Sequence, residues 1–278
     1  MIRNSAYLVF FFMQFILLSH ICYGQENERN IAASEKFASV DFSKIQTLPE
    51  LTKGISSLTS NKKEQLQMLL LWSYDNMKPD SNRFFNGGLP LSRTEALKKR
   101  IGLCDEFSDI VNDFCELQNI PTIKVLGYVK YMGYNAGDNF TESNHAWNAV
   151  FLDSTWLLCD LFWSITELQI SSSSVPSFSK KINTDYFLAQ PNSFVKNHLP
   201  SDPIFQFDNY PIRIDAFTNV SEGIDNLIER MSYINYSDSI ASLIKMSDKN
   251  QKIKIAEHSY SYNKNNPNDL ITEYYNYS

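Results

Sequence analysis

Asn144-His-Ala-Trp-Asn-Ala-Val-Phe-Leu-Asp-Ser-Thr-Trp-Leu-Leu-Cys-Asp160 is the stretch on which the fold turns. Two runs rich in β-formers, His145 to Leu152 and Thr155 to Phe162, flank Asp153-Ser154, and a two-residue connection of this kind predicts a hairpin. With those two residues at the turn, Leu152 faces Thr155 and Trp147 faces Asp160. His145 and Asp160 then share one face as diagonal neighbours, roughly 7–8 Å apart at Cα. Upstream, Phe107, Ile110, Val111, Phe114 and Leu117 fall on one face of a helix running from about Cys104 to Gln118, which Asn119 and Pro121 stop. Residues 122–131 read as a strand. One helix followed by an antiparallel meander predicts an α+β fold.

Further out the signals are weaker. Leu66, Leu69, Leu70, Trp72, Tyr74 and Met77 predict a well-buried helix over 61–77. Asp80 to Pro90, with Gly87 and Gly88, reads as a surface loop. Ser92 and Glu95 form a capping box opening a short helix to Arg100, with Gly102 marking its end. Residues 133–144 and 171–181 read as loops, the second either covering a site or merely connecting. Beyond Pro200, Pro203 and Pro211, two or three short helices are expected, one near Ile240 to Met246, before a Tyr- and Asn-rich tail.

The N-terminus bears on location. Arg3, the apolar run Ala6 to Leu18 and Gly24 read as a secretory signal cleaved near Gly24, which predicts an exported protein. The run is shorter than the roughly 20 apolar residues of a membrane span, so no stable span is expected after cleavage. A lipoprotein reading through Cys22 ranks lower, because Ile21 before it is bulky. The expected organisation is a signal at 1–24, a lead-in at 25–60, a main domain at 61–215 and a helical extension at 216–278. With 43% apolar residues the 278-residue chain can build a real core, and a formal charge of −6 without any basic block argues against nucleic-acid binding.

Chemistry concentrates at three residues. A thiol at a helix N-terminus meets the positive end of the backbone dipole and unpaired N–H groups, which favours the thiolate of Cys104. Asp105 and Glu106 oppose this unless they point into solvent, and both are expected to do so. An imidazolium at His145 is the stronger influence, and Asp160 would orient that ring and fix its tautomer. Losing Cys22 with the signal leaves Cys104, Cys115 and Cys159. Cys159 falls on the opposite strand face from Asp160, so Cys115 and Cys159 are expected to remain buried thiols rather than a disulfide. No paired Cys or His stands at short ligand spacing, so neither a metal site nor a cofactor is predicted. His198 and His258 read as surface residues.

These residues resemble a known family, the transglutaminase-like superfamily, which includes cysteine peptidases and amidases of related fold. The likeness rests on Arg100-Ile-Gly-Leu-Cys104-Asp-Glu-Phe107, Asn119-Ile-Pro121, Gly127-Tyr128, Asn144-His145-Ala-Trp147-Asn148, Trp156 and Asp160, in order and spacing, over roughly residues 60–165. The later Pro200-Ser-Asp-Pro203-Ile-Phe-Gln206 and Tyr210-Pro211-Ile212 look like an extension of exported bacterial members. The resemblance implies a papain-like transglutaminase core, a helix bearing Cys104 on an antiparallel sheet. It also implies attack by Cys104 on a protein or peptide amide, His145 as proton shuttle and Asp160 as its orienting carboxylate. The Cys104 backbone N–H would form part of an oxyanion hole. Trp72 and Trp147 are conceivable contributors there, though such aromatic residues are more often core. Two readings stand: a thiol acyltransferase or peptidase, and a non-catalytic protein-binding module on the same scaffold.

Overall fold

The computed structural model describes residues 33–131, 134–171, 174–220 and 229–277; the expected signal over 1–24 lies outside the described residues. No helix among them is long and apolar enough to cross a membrane. The chain divides into two compact units, residues 1–76 and 77–278. In the first, helix α1 (Leu48–Leu58) opens on a capping box between Thr47 and Glu50 and buries Leu48, Leu51 and Ile55. Helix α2 (Lys62–Asn76) follows, burying Leu66, Met68, Leu69, Leu70 and Trp72.

The second unit holds the meander. Strands β1 (Lys78–Pro79) and β2 (Ile101–Gly102) pair in parallel. Between them lie helices α3 (Ser81–Asn86) and α4 (Arg93–Lys99), so the segment expected as a loop contains a helix. Asp80 explains it, because its side chain caps the free N–H of Arg83 at 3.1 Å. The Ser92–Glu95 capping box opens α4 as expected, but the left-handed residue that ends α4 is Arg100, at φ 57°, and not Gly102.

Helix α5 (Cys104–Leu117) buries Phe107, Ile110, Val111 and Phe114, while Leu117 in its last turn is exposed. It packs on a sheet of β3 (Thr122–Val129), β4 (His145–Leu152), β5 (Thr155–Cys159) and β8 (His198–Pro200), in the order β5-β4-β3-β8, all antiparallel. The β4–β5 register is the expected one, Leu152 opposite Thr155 and Asn148 opposite Cys159. Asp153 and Ser154 carry φ of 48° and 64°, both in the left-handed region that a tight hairpin turn of this twist requires.

Three expectations need correction. Strand β5 ends at Cys159 rather than Phe162, because Asp160 caps helix α6 (Leu161–Ile165). The segment expected as a loop over 171–181 is largely strand: β6 (Thr166–Ser171) and β7 (Ser174–Lys180) form a two-stranded sheet of their own. Cys115 and Cys159 are buried free thiols as expected, but not because they lie on opposite sides of the sheet. Asn148, opposite Cys159, reaches the Ser108 carbonyl of α5 at 3.1 Å, so Cys159 faces the same helix that carries Cys115.

The chain then passes through α7 (Pro191–Phe194) to β8, α8 (Ile214–Thr218), α9 (Tyr236–Leu243), α10 (Asp248–Tyr262) and α11 (Asn268–Tyr277), the last formed from the expected Tyr-rich tail. Trp147, Val125, Leu158, Phe194, Ile204 and Phe205 pack with Ile240 and Leu243 in one buried cluster, so the C-terminal helices complete the core behind the sheet. Gly127 sits where strands crowd most. It pairs with His145 on one side and Pro200 on the other. A Cβ there would lie 2.4 Å from both the Leu199 carbonyl and the Trp147 ring, a spacing only glycine tolerates.

Candidate active site

Cys104 is the first residue of α5 and is half-buried. The carboxylates beside it behave differently from one another. Asp105 is exposed and meets Lys124 Nζ at 2.6 Å. Glu106, expected to point outward, is 1% exposed. It accepts from Leu103 N at 2.8 Å and Leu91 N at 2.9 Å and forms a two-pronged pair with Arg83, Nη1 to Oε1 at 2.6 Å. An inward Glu106 is tolerated because Arg83 cancels its charge and the bond to Leu103 fixes the backbone just before Cys104. Burial opposes the charged Glu106, but these donors hold its pKa below the ordinary value.

Asp160 stands where β5 passes into α6. Its Oδ1 accepts from Trp163 N at 2.9 Å, a helix cap that fixes the carboxylate. Oδ2 receives two imidazoles: His145 Nε2 at 2.6 Å and His198 Nε2 at 3.1 Å. The second was missed. His198, read from sequence as a surface residue, is fully buried in β8, its Nδ1 2.7 Å from the Asn197 side-chain amide. A signal existed: His198 lies between the apolar Val195 and Leu199, next to the proline-punctuated stretch singled out for its likeness. His258 is partly exposed and bonds Asp202 at 2.9 Å. Trp147, a conceivable donor, is core.

The two buried imidazoles on this carboxylate titrate apart. Burial disfavours a charged His145, but the Asp160 carboxylate, the Cys104 side chain by charge, and hydrogen bonds to both outweigh it and raise its pKa to about 10. Burial likewise disfavours the Asp160 anion, and the two imidazoles overcome this, holding its pKa well below the carboxylate range. For His198 burial prevails over its bond to Asp160 and pushes its pKa down to about 4, so it is neutral. One ring is charged and the other neutral over the neutral pH range, which separates their roles. The Tyr131 hydroxyl lies 2.7 Å from His145 Nδ1, the ring nitrogen not engaged by Asp160.

The His198 shift has a measurable consequence. An unfolded histidine near 6.5 binds protons that buried His198 refuses until about 4, so its contribution to stability is present above pH 6.5 and lost as pH falls toward 4. The loss is on the order of 3 kcal/mol. Urea unfolding at pH 7 and pH 4.5 is expected to show a smaller pH difference for His198→Gln than for the parent protein. An equal difference would mean His198 does not titrate in this way.

Donor atoms of His145, Asp160 and His198 all lie within 4.8 Å of one another, a spacing a metal ion could use. Both Nε2 atoms are committed to one carboxylate oxygen, so a cation there would break the bonds that orient His145.

A family model described as "Transglutaminase-like superfamily" matches residues 49–161. Over 127 residues, 45% of this chain, the sequence is 31% identical to kyphoscoliosis peptidase of Mus musculus and 32% identical to that of Homo sapiens. It is 23% identical over 162 residues to Lim and transglutaminase domain protein ltd-1 of Caenorhabditis elegans. The chain spans only 19–22% of the length of these relatives. A solved crystal structure of a TGase superposes with a TM-score of 0.31 at 14% identity, covering 59% of this chain and 42% of that one. The matched segment takes in Cys104, His145 and Asp160 and stops before His198. Over residues 49–161, this chain carries a domain of the transglutaminase-like superfamily.

Proposed function

We propose that the protein is an exported cysteine enzyme that transfers the acyl group of a protein or peptide amide, with Cys104, His145 and Asp160 as its reacting unit. One observation carries the reading. His145 gives one nitrogen to a buried carboxylate, and the charges of that carboxylate and of Cys104 raise its pKa to about 10 against its burial. An imidazolium in that position supplies the charge partner and proton donor that a nucleophilic sulfur needs.

The thiolate attacks the amide carbonyl carbon, and the Cys104 N–H at the start of α5 stabilises the oxyanion. The C–N bond breaks as imidazolium Nδ1–H turns from the Tyr131 hydroxyl and gives its proton to the leaving amine, leaving a thioester on Cys104. Water or a second amine then attacks the thioester, His145 accepts its proton, and acid or new amide departs as the thiolate returns. Asp160 keeps Nε2–H fixed throughout. Transamidation, deamidation and hydrolysis differ only in the attacking acceptor and in which amide is bound. Export rests on the sequence of residues 1–24.

Iodoacetamide tests the reading, since Cys115 and Cys159 are buried. Cys104 is expected to react at pH 6 about 100-fold faster than a free model thiol, and His145→Ala to abolish that advantage. The Cys104→Ala protein, still folded, should take no label. Equal reactivity of Cys104 and the model thiol would instead support the binding module.

A further inference from the structure

Beside His145 opens a cavity of about 260 Å³, lined by Phe84, Tyr131, Phe162, Trp163, Phe178 and Tyr186. Tyr131 and Trp163 are shared with the candidate site: the first bonds His145 Nδ1, and the second has its ring centroid 5.4 Å from the His145 ring. Phe178 comes from β7 and meets Phe84 and Phe162 edge to face, with centroids 4.9 and 5.5 Å apart. The β6–β7 sheet thus supplies a wall of the cavity. A larger cavity of about 530 Å³ lies elsewhere, against Trp156, Phe207 and Tyr236, and includes none of the candidate residues.

We propose that the smaller cavity is the subsite for one aromatic or large aliphatic side chain of the peptide on which Cys104 acts, an inference that rests on Cys104 being the reacting sulfur. Three observations fix the occupant. The first is size: an apolar cavity of about 150 Å³ accepts a benzene ring, whereas whole-ligand clefts run from about 300 Å³ upward, so this one suits a single large side chain. The second is the wall, in which half-buried rings offer faces and edges for offset or T-shaped contact. The third is charge. The cationic groups at the mouth are already engaged, Lys181 with Glu167, and Lys130 with the Val220 carbonyl and the Phe217 ring. A charged side chain would be desolvated there without a free counter-ion. Position supplies the link to reaction, because Tyr131 and Trp163 both line the cavity and contact the His145 ring.

Two measurements test it. The Cys104→Ala protein, titrated with N-acetyl-phenylalanine amide and N-acetyl-aspartate amide under NMR observation, is expected to bind the first saturably and at least 10-fold more tightly. Both Phe178→Glu and, from the opposite wall, Phe84→Glu should remove that preference. With Cys104 present, the chloromethyl ketone of N-acetyl-phenylalanine should alkylate it at least 10-fold faster than the aspartate reagent, a ratio falling towards one in both variants. Absence of saturable binding, equal affinity for the two amides, or a preference surviving in folded variants of both walls overturns the subsite. If the binding preference is present but Cys104 reacts no faster than a free thiol, the cavity stands as a binding site and the acyl-transfer reading falls.

Discussion

Replacing Asp160 by Asn is expected to slow iodoacetamide labelling of Cys104 at pH 7.5 by about 100-fold, with a smaller deficit at pH 6. The carboxylate is the principal influence raising His145 against its burial. Without it the ring returns toward 6.5 or below, and the imidazolium partner of the thiolate is lost near neutrality. The sign follows from the direction of the shift. A raised histidine is charged up to about pH 10, so removing the cause matters most where an ordinary histidine would already be losing its proton. The amide of the Asp160→Asn variant could still cap α6 through its side-chain oxygen, so this change separates orientation of His145 from loss of the helix cap. A rate within threefold of the parent protein at pH 7.5 would show that Asp160 does not govern the ring.

Arg83→Met should produce the largest loss of stability of any change considered, about 3–5 kcal/mol. It strands Glu106, which is 1% exposed, with its negative charge buried and only backbone donors left. Coupling Arg83→Met to Glu106→Gln is expected to recover about 1–2 kcal/mol, because the amide oxygen still accepts one of the two N–H groups while the charge is gone. Urea midpoints of the two single variants and the double variant measure this directly. A cost below about 1 kcal/mol for Arg83→Met would place the pair with surface ion pairs.

How much was legible depended on whether local chemistry or distant chain decided each position. The hairpin's turn and register were readable, since Asp153 and Ser154 dictate the turn and strand periodicity carries the pairing to Cys159, whereas the end of the strand was not, because Asp160 caps a helix. Glu106 was misread because a carboxylate beside a thiolate is costly on its own. Its compensation comes from Arg83, 23 residues away in sequence, and nothing nearby announces it. His198 was missed for the same kind of reason. A histidine in a short strand of three residues carries no periodicity, and its partner lies 38 residues upstream. Phe178 lay in a serine-rich stretch whose pairing with Thr166–Ser171 gives weak alternation.

Strand β8 adds a practical consequence for where this domain ends. The segment recognisable by descent stops at residue 161, yet the sheet edge beside β3 and the second imidazole on Asp160 come from residues 198–200. A fragment trimmed to the recognisable borders would expose the flank of Val129 and leave Asp160 with a single imidazole. The smallest piece that preserves the full environment of the carboxylate therefore reaches past Pro200, and ancestry alone would draw its boundary too early.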